Sequence, residues 1–140
     1  MTRDQVLALF VRRQEAWNRR DAAALGRDYA PEGVVISAVS GRLEGRERIA
    51  AAYRAWFTAF PDLDFRSDAL VIDGDLAALF FKATGTHSGE FLGLAPSGRR
   101  FDVSGVFLYE LADGQIVHER RILDFTGLLV QIGILKVKPA

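Results

Sequence analysis

Two side chains stand where proton chemistry is expected. Asp124 closes a predicted strand, Gln115 to Asp124, just before the apolar tail Phe125-Thr126-Gly127-Leu128-Leu129. A carboxylate in apolar surroundings loses hydration, which disfavours its charged form and lets it serve as a general acid or base near neutral pH. The same residue could equally cap the helical turn that follows. His87 ends another predicted strand, Leu76 to His87, with the parity of Phe81, Ala83 and Gly85. Alternate strand residues face opposite sides, so the imidazole inherits the apolar side.

Parity also implies space and a possible partner for the carboxylate. Ala83 and Gly85 leave room beside His87, and Gly105 leaves room in the set Phe101, Val103, Phe107 and Tyr109. Two gaps in aromatic faces predict a cavity rather than a solid core. On the last strand Ile116, His118, Arg120, Ile122 and Asp124 share one parity, and Val117, Glu119, Arg121, Leu123 and Phe125 the other. Arg120 lies about 13 Å along the strand from Asp124 at ~3.3 Å per residue. Pairing with it would hold Asp124 ionised, whereas Arg120 alone in the cavity could receive an anionic or enolate oxygen. The alternative is that Arg120 and Arg121 are ordinary surface charges.

The elements that must position these groups are read from periodicity. Val6, Leu7, Phe10, Val11 and Trp17 recur on one helical face, with Thr2 and Gln5 spaced as a capping box. Asp21 caps a shorter helix running to Tyr29, and Val34 to Val39 is a β-branched strand after it. Gly41 and Gly45 bracket a turn. Ile49, Tyr53, Trp56, Phe57 and Phe60 then mark a third amphipathic helix, ended by Pro61. Asp73-Gly74-Asp75 and Ala112-Asp113-Gly114 are hairpin turns between predicted strands, about 63–72 with 76–87 and 101–110 with 115–124. Residues 88–98 form a Gly-rich loop that reads as a lid or rim, and 125–135 form a last strand or short helix.

The chain has 140 residues, predicting one domain over 1–140 with helices first and an antiparallel sheet after them, an α+β unit. Lys plus Arg and Asp plus Glu are both 18, so no net field draws the chain to nucleic acid or an anionic membrane. The basic pairs Arg12-Arg13, Arg19-Arg20, Arg99-Arg100 and Arg120-Arg121 read as solvated faces. With no cysteine, disulfides, a thiol nucleophile and iron-sulfur ligation are excluded. The start, Met1-Thr2-Arg3-Asp4, does not read as a signal peptide, and no run approaches the ~20 apolar residues of a membrane span. A cytoplasmic protein is expected. His87 and His118 complete no H-E-x-x-H motif, and there is no G-x-S-x-G elbow, phosphate loop or dinucleotide fingerprint. Neither a metal nor a cofactor is expected.

Taken together, Trp17-Asn18-Arg19-Arg20-Asp21, Phe60-Pro61-Asp62, Gly85-Thr86-His87-Ser88-Gly89-Glu90-Phe91-Leu92-Gly93, Pro96-Ser97-Gly98-Arg99 and the ending Asp124-Phe125-Thr126-Gly127-Leu128-Leu129-Val130-Gln131-Ile132-Gly133 resemble the SnoaL-like polyketide cyclases of the nuclear-transport-factor-two-like superfamily. The resemblance implies a cone: a curved antiparallel sheet wrapped around N-terminal helices, enclosing a hydrophobic cavity and often dimerising through the sheet. Apolar Val106 and Leu108 on the opposite sheet face agree with a covered outer surface. It further implies that Asp124 acts as general acid and base in an intramolecular aldol closure without metal or cofactor, and that His87 lies in the cavity region. Many relatives carry an aromatic residue where this chain has Arg120.

The expected function is cofactor-independent acid-base catalysis on a hydrophobic cyclic ketone or polyketide-like substrate. Asp124 would shuttle the proton, and His87 would polarise or orient. Trp17, Tyr53, Trp56, Phe57, Phe60, Phe101, Phe107 and Arg120 would contact substrate. The alternatives are a non-catalytic protein binding a small apolar ligand, a structural module, or another isomerase, dehydratase or epoxide hydrolase of the same superfamily.

Overall fold

The computed structural model describes residues 1–136; the last four residues of the expected 1–140 domain lie outside the described residues. Helix α1 (Arg3–Arg19) starts from the predicted capping box, with Thr2 accepting from the Gln5 N–H and Gln5 accepting from the Thr2 N–H. Its buried stripe is Val6, Leu9, Phe10, Arg13, Ala16 and Trp17. Leu7 and Val11, expected on that stripe, are 39% and 61% exposed. The buried series 6, 10, 13 and 17 is the 3–4 helical spacing, and it takes Arg13 inward while Arg12 stays outside.

Asp21 caps α2 (Ala22–Arg27) through the Ala24 N–H, and Tyr29 opens strand β1 (Tyr29–Ser37) instead of closing the helix. The segment expected as a turn after Gly41 is strand β2 (Gly41–Glu44), paired with β1. Helix α3 (Arg46–Ala59) carries the predicted aromatic face. Strands β3 (Asp64–Asp73), β4 (Leu76–Thr86), β5 (Arg100–Ala112) and β6 (Gln115–Leu123) follow, then α4 (Phe125–Gln131), so the tail is a helix. Both hairpin turns form where expected. At the second, Asp113 (φ 53°) and Gly114 (φ 78°) take the left-handed conformations of a two-residue turn matching the sheet twist.

The six strands run in the order β2-β1-β6-β5-β4-β3 in one curved, unclosed sheet, with the helices on its inner side. All pairings are antiparallel except β1 with β6, which is parallel, so the sheet is mixed rather than wholly antiparallel as expected. Register shifts at three places, in the β1–β6, β3–β4 and β5–β6 pairs. Leu111 pairs Ile116 but Glu110 pairs His118, which leaves Val117 as an extra residue on β6. A bulge exchanges faces on either side of it. Ile116 is therefore inward, and so are Glu119, Arg121 and Leu123, while Arg120 and Ile122 face out. No helix of the described residues is long and apolar enough to cross a membrane.

Candidate functional site

A narrow pocket of about 50 Å³ opens between the inner sheet face, α1 and α3, lined by Trp17, Tyr53, Trp56, Phe81, Phe101, Phe107 and Arg121 among others. That is room for a few water molecules and well under the roughly 300 Å³ of a typical ligand site, so a ring-sized ligand must displace side chains. Val39 and Ser40, in the turn between β1 and β2, and Trp56 also border the adjoining surface groove, which makes them the mouth. The predicted vacancies are not what forms the space. At Gly105 an added Cβ would meet the Phe81 ring at 2.7 Å and the Ile122 carbonyl at 2.4 Å; at Gly85 it would meet the Phe101 ring at 2.8 Å. Neighbouring phenyl rings already fill both positions.

Five of the expected contact residues, Trp17, Tyr53, Trp56, Phe101 and Phe107, line the pocket. Phe57 and Phe60 do not. Phe57 packs edge-on against Trp17, and Phe60 packs on Phe91, Phe101 and His87 behind the wall. His87 is fully buried but outside the lining. Its Nδ1 accepts the Ser97 N–H at 3.1 Å, its backbone N–H donates to the Arg99 carbonyl at 2.8 Å, and the Gly98 N–H donates to its backbone carbonyl. It fastens the 88–99 rim. Because Nδ1 is an acceptor, the neutral ring carries its proton on Nε2, which has no partner.

Asp124 is solvent-exposed and its Oδ1 accepts the Gly127 N–H at 2.9 Å, so it is the N-cap of α4. The carboxylate expected in apolar surroundings is therefore hydrated and outside the lining. Arg120 is also exposed, and its position in the cavity is taken by Arg121. The bulge at Val117, invisible to a count of parity, accounts for the exchange.

Arg121 is 9% exposed and held from several sides. Its Nε donates to Glu119 Oε2 at 2.6 Å and its Nη2 to the Tyr29 hydroxyl at 3.2 Å. The guanidinium carbon lies 4.7 Å from the centroid of the Tyr53 ring and 5.4 Å from that of Phe107. Burial works against its charge, but Glu119 and the tyrosines outweigh it, so the cation persists. The same network reaches α1. Arg13, fully buried, donates to the Tyr53 hydroxyl at 2.8 Å, to Asp28 at 2.9 Å and to the Leu25 carbonyl at 3.1 Å. The Tyr29 hydroxyl donates to Glu119 Oε1 and lies 2.7 Å from that of Tyr53. The buried Arg13, Arg121 and Glu119 thus join the part-buried Asp28, which also pairs with the exposed Arg12, in one charged cluster.

Sequence reasoning missed Arg13, Tyr29, Glu119 and Arg121. The signals were present: Arg13 completes the helical series, and Glu119 and Arg121 share the parity of Leu123 and Phe125. In the pocket this arrangement offers N–H donors in apolar walls. Among the described residues Arg121 Nη1 makes no hydrogen bond, and neither does the buried Trp17 indole N–H. Such donors suit a carbonyl or enolate oxygen. Among the described residues no group of three or more His, Cys, Asp or Glu is placed to hold a metal ion.

Comparison with known proteins agrees with the sequence resemblance. The SnoaL-like polyketide cyclase family matches residues 8–132. Aklanonic acid methyl ester cyclase AcmA of Streptomyces galilaeus is 41% identical over 49 residues, which is 35% of this chain and 34% of that one, so the match spans about a third of the curated relative's length. AclR from Streptomyces galilaeus has a similar structure, with a TM-score of 0.84 at 28% identity, covering 99% of this chain and 87% of that one. TsrD from Streptomyces laurentii also superposes with a TM-score of 0.84, at 30% identity over 96% of this chain and 99% of that one. The chain belongs to the SnoaL-like polyketide cyclase family.

Proposed function

We propose that this protein is a cyclase- or isomerase-type proton-transfer enzyme, working without a cofactor on a small hydrophobic ketone, with Arg121 holding the oxygen on which negative charge develops. The observation that carries this reading is a protonated guanidinium in a wall that, apart from Ser37 and Ser40, is built from aromatic and aliphatic side chains, oriented beforehand by Glu119 and Tyr29. A fixed cation in a dry site stabilises an enolate more than it stabilises the ground-state ketone, which is the requirement for catalysis. Family membership, with the 49-residue stretch that is 41% identical to AcmA, supports ring closure as the reaction that consumes the enolate. In this reading Asp124 organises α4 and takes no proton from substrate.

Deuterium incorporation into 2-tetralone in D₂O, followed by NMR, tests the proposal without knowledge of the natural substrate. Wild type accelerates exchange at the α carbon. Arg121→Met lowers the rate about 100-fold or more. Arg121→Lys, which keeps the charge but not the fork of donors, falls between them. Wild-type exchange in a folded Arg121→Met variant contradicts the assignment.

The outer sheet face supports a homodimer. Phe80 pairs with Val106 and Val106 with Ile122, giving an apolar row across three strands, with Leu108 one row away. Phe80 is 44% and Ile122 55% exposed. A second copy placing the same row against this one would form a self-complementary twofold contact. Sedimentation should show a dimer that Ile122→Glu converts to monomer; a monomeric wild type at micromolar concentration contradicts it.

A further inference from the structure

The pocket lining contains no carboxylate, so the proton removed from substrate needs another destination. The hydroxyl chain behind the wall supplies one. Glu119 is fully buried, and as an ionised carboxylate it can only accept. The Tyr29 hydroxyl must therefore donate to Glu119 Oε1, which leaves the Tyr29 oxygen to accept from the Tyr53 hydroxyl 2.7 Å away. Arg13 donates to the Tyr53 oxygen at 2.8 Å. The direction of every hydrogen in the chain is fixed, and each hydroxyl points toward Glu119. Tyr53 also borders the pocket but is fully buried, so its oxygen meets a substrate only when the ligand has displaced the wall side chains.

We propose that Tyr53 and Tyr29 relay the substrate proton to Glu119, making this buried carboxylate the terminal base of the site. This rests on the enolate reading above and adds to it the route and end point of the proton. The C–H proton passes to the Tyr53 oxygen, the Tyr53 hydroxyl proton to Tyr29, and the Tyr29 proton to Glu119 Oε1. The electron pair of the broken C–H bond stays on the substrate as enolate, beside Arg121. The charge ledger favours this end state. Before transfer Arg121 is paired with the Glu119 carboxylate; after it, Glu119 is neutral and the enolate is the anion facing the same guanidinium. Arg13, Arg121, Asp28 and Glu119 counted together with the substrate keep the same net charge before and after the transfer, because the enolate gains the charge that Glu119 loses, which avoids the large penalty of a new uncompensated charge in a dry interior. Every element packed on Glu119 contributes a group that bears on it: Arg121 from β6, Tyr109 opposite on β5, Tyr29 from β1, Tyr53 from α3 and Arg13 from α1. Burial and the Glu119 carboxylate push the Tyr29 phenol well above its ordinary range, so it passes a proton on without resting as phenolate.

The test uses 1-phenylbutane-1,3-dione, whose enolate has its own ultraviolet band. It is added to the full chain in weak buffer containing a pH indicator, below the pH at which the free diketone ionises. The expected result is bound enolate with no proton released to the medium, because the proton remains on Glu119. Glu119→Gln should release one proton for each enolate formed. Tyr29→Phe, which keeps the ring and the Glu119 to Arg121 pair, should form the enolate about 100-fold more slowly at an unchanged proton count, and so should Tyr53→Phe. If Glu119→Gln does not fold by circular dichroism, the two tyrosine variants decide. One proton released per enolate in wild type, or wild-type rates in both tyrosine variants, overturns the relay and leaves the enolate reading standing. Absence of any enolate in wild type overturns both.

Discussion

Arg121 donates through Nε to Glu119, two residues earlier on the same strand face, at 2.6 Å, and this pair brings a cation into a wall built mostly of apolar side chains. Glu119 is fully buried and the Arg121 side chain is 7% exposed, so neither can be rehydrated when the other is removed. Breaking such a pair leaves an uncompensated buried charge and costs about 3–5 kcal/mol. Arg121→Met should lower stability to urea by that order. The double variant Arg121→Met with Glu119→Leu should recover most of the loss. Additive losses in the double variant would show that the pair is not a coupled unit.

Asp124 is predicted to matter to α4 and little to the pocket. Asp124→Ala removes the acceptor for the Gly127 N–H and should cost about 1 kcal/mol of stability, while Asp124→Asn, itself a good N-cap, should cost much less. Deuterium exchange into 2-tetralone should stay within about twofold of wild type in Asp124→Asn, since an exposed cap residue contributes no proton step. A fall of 100-fold in a folded Asp124→Asn protein would return the catalytic role to this carboxylate.

Gly105→Ala tests what occupies the inner sheet face. The added methyl would meet the Ile122 carbonyl at 2.4 Å and the Phe81 ring at 2.7 Å, and the carbonyl belongs to a paired strand that cannot move freely. Destabilisation of about 1–3 kcal/mol is expected. A neutral or stabilising result in thermal unfolding would mean that the position is vacant after all.

Asp62 provides a pH test at the base of the rim loop. Burial opposes its charge, but the Thr86 N–H and hydroxyl, both donating at 2.7 Å, hold its carboxyl below the ordinary value of 3.8. The folded form therefore resists protonation longer than the unfolded one. Its contribution is complete above the unfolded value and fades as pH falls through the folded one. Wild type should be more stable than Asp62→Asn at pH 7, with the difference closing below about pH 4. A difference that widens on acidification would contradict the sign.

The frame of this molecule was legible because local signals carried it. The capping box at Thr2, the aromatic face of α3 and the turns at Gly74-Asp75 and Asp113-Gly114 each act within a few residues, and all four form as expected. The site was less legible because it depends on non-local geometry. Val117 is an extra residue only in relation to β5, so uninterrupted parity assigns Arg120 inward and Arg121 outward, the reverse of the structure. Arg13 was masked by Arg12: an adjacent pair of arginines reads as a solvated face, yet one completes the buried helical stripe and the other meets solvent. Asp124 illustrates the converse. Apolar sequence neighbours do not bury a side chain whose backbone position is a helix start.

The most direct measurement is the ¹H–¹⁵N signal of the arginine Nε–H groups during titration with 1-phenylbutane-1,3-dione, assigned with Arg121→Lys and Arg120→Lys. The Arg121 resonance should show a saturating shift, with that of Arg120, exposed on the outer face, unmoved. A saturating shift at Arg120 with Arg121 silent, or binding that perturbs neither, would contradict the claim that Arg121 receives the ligand oxygen.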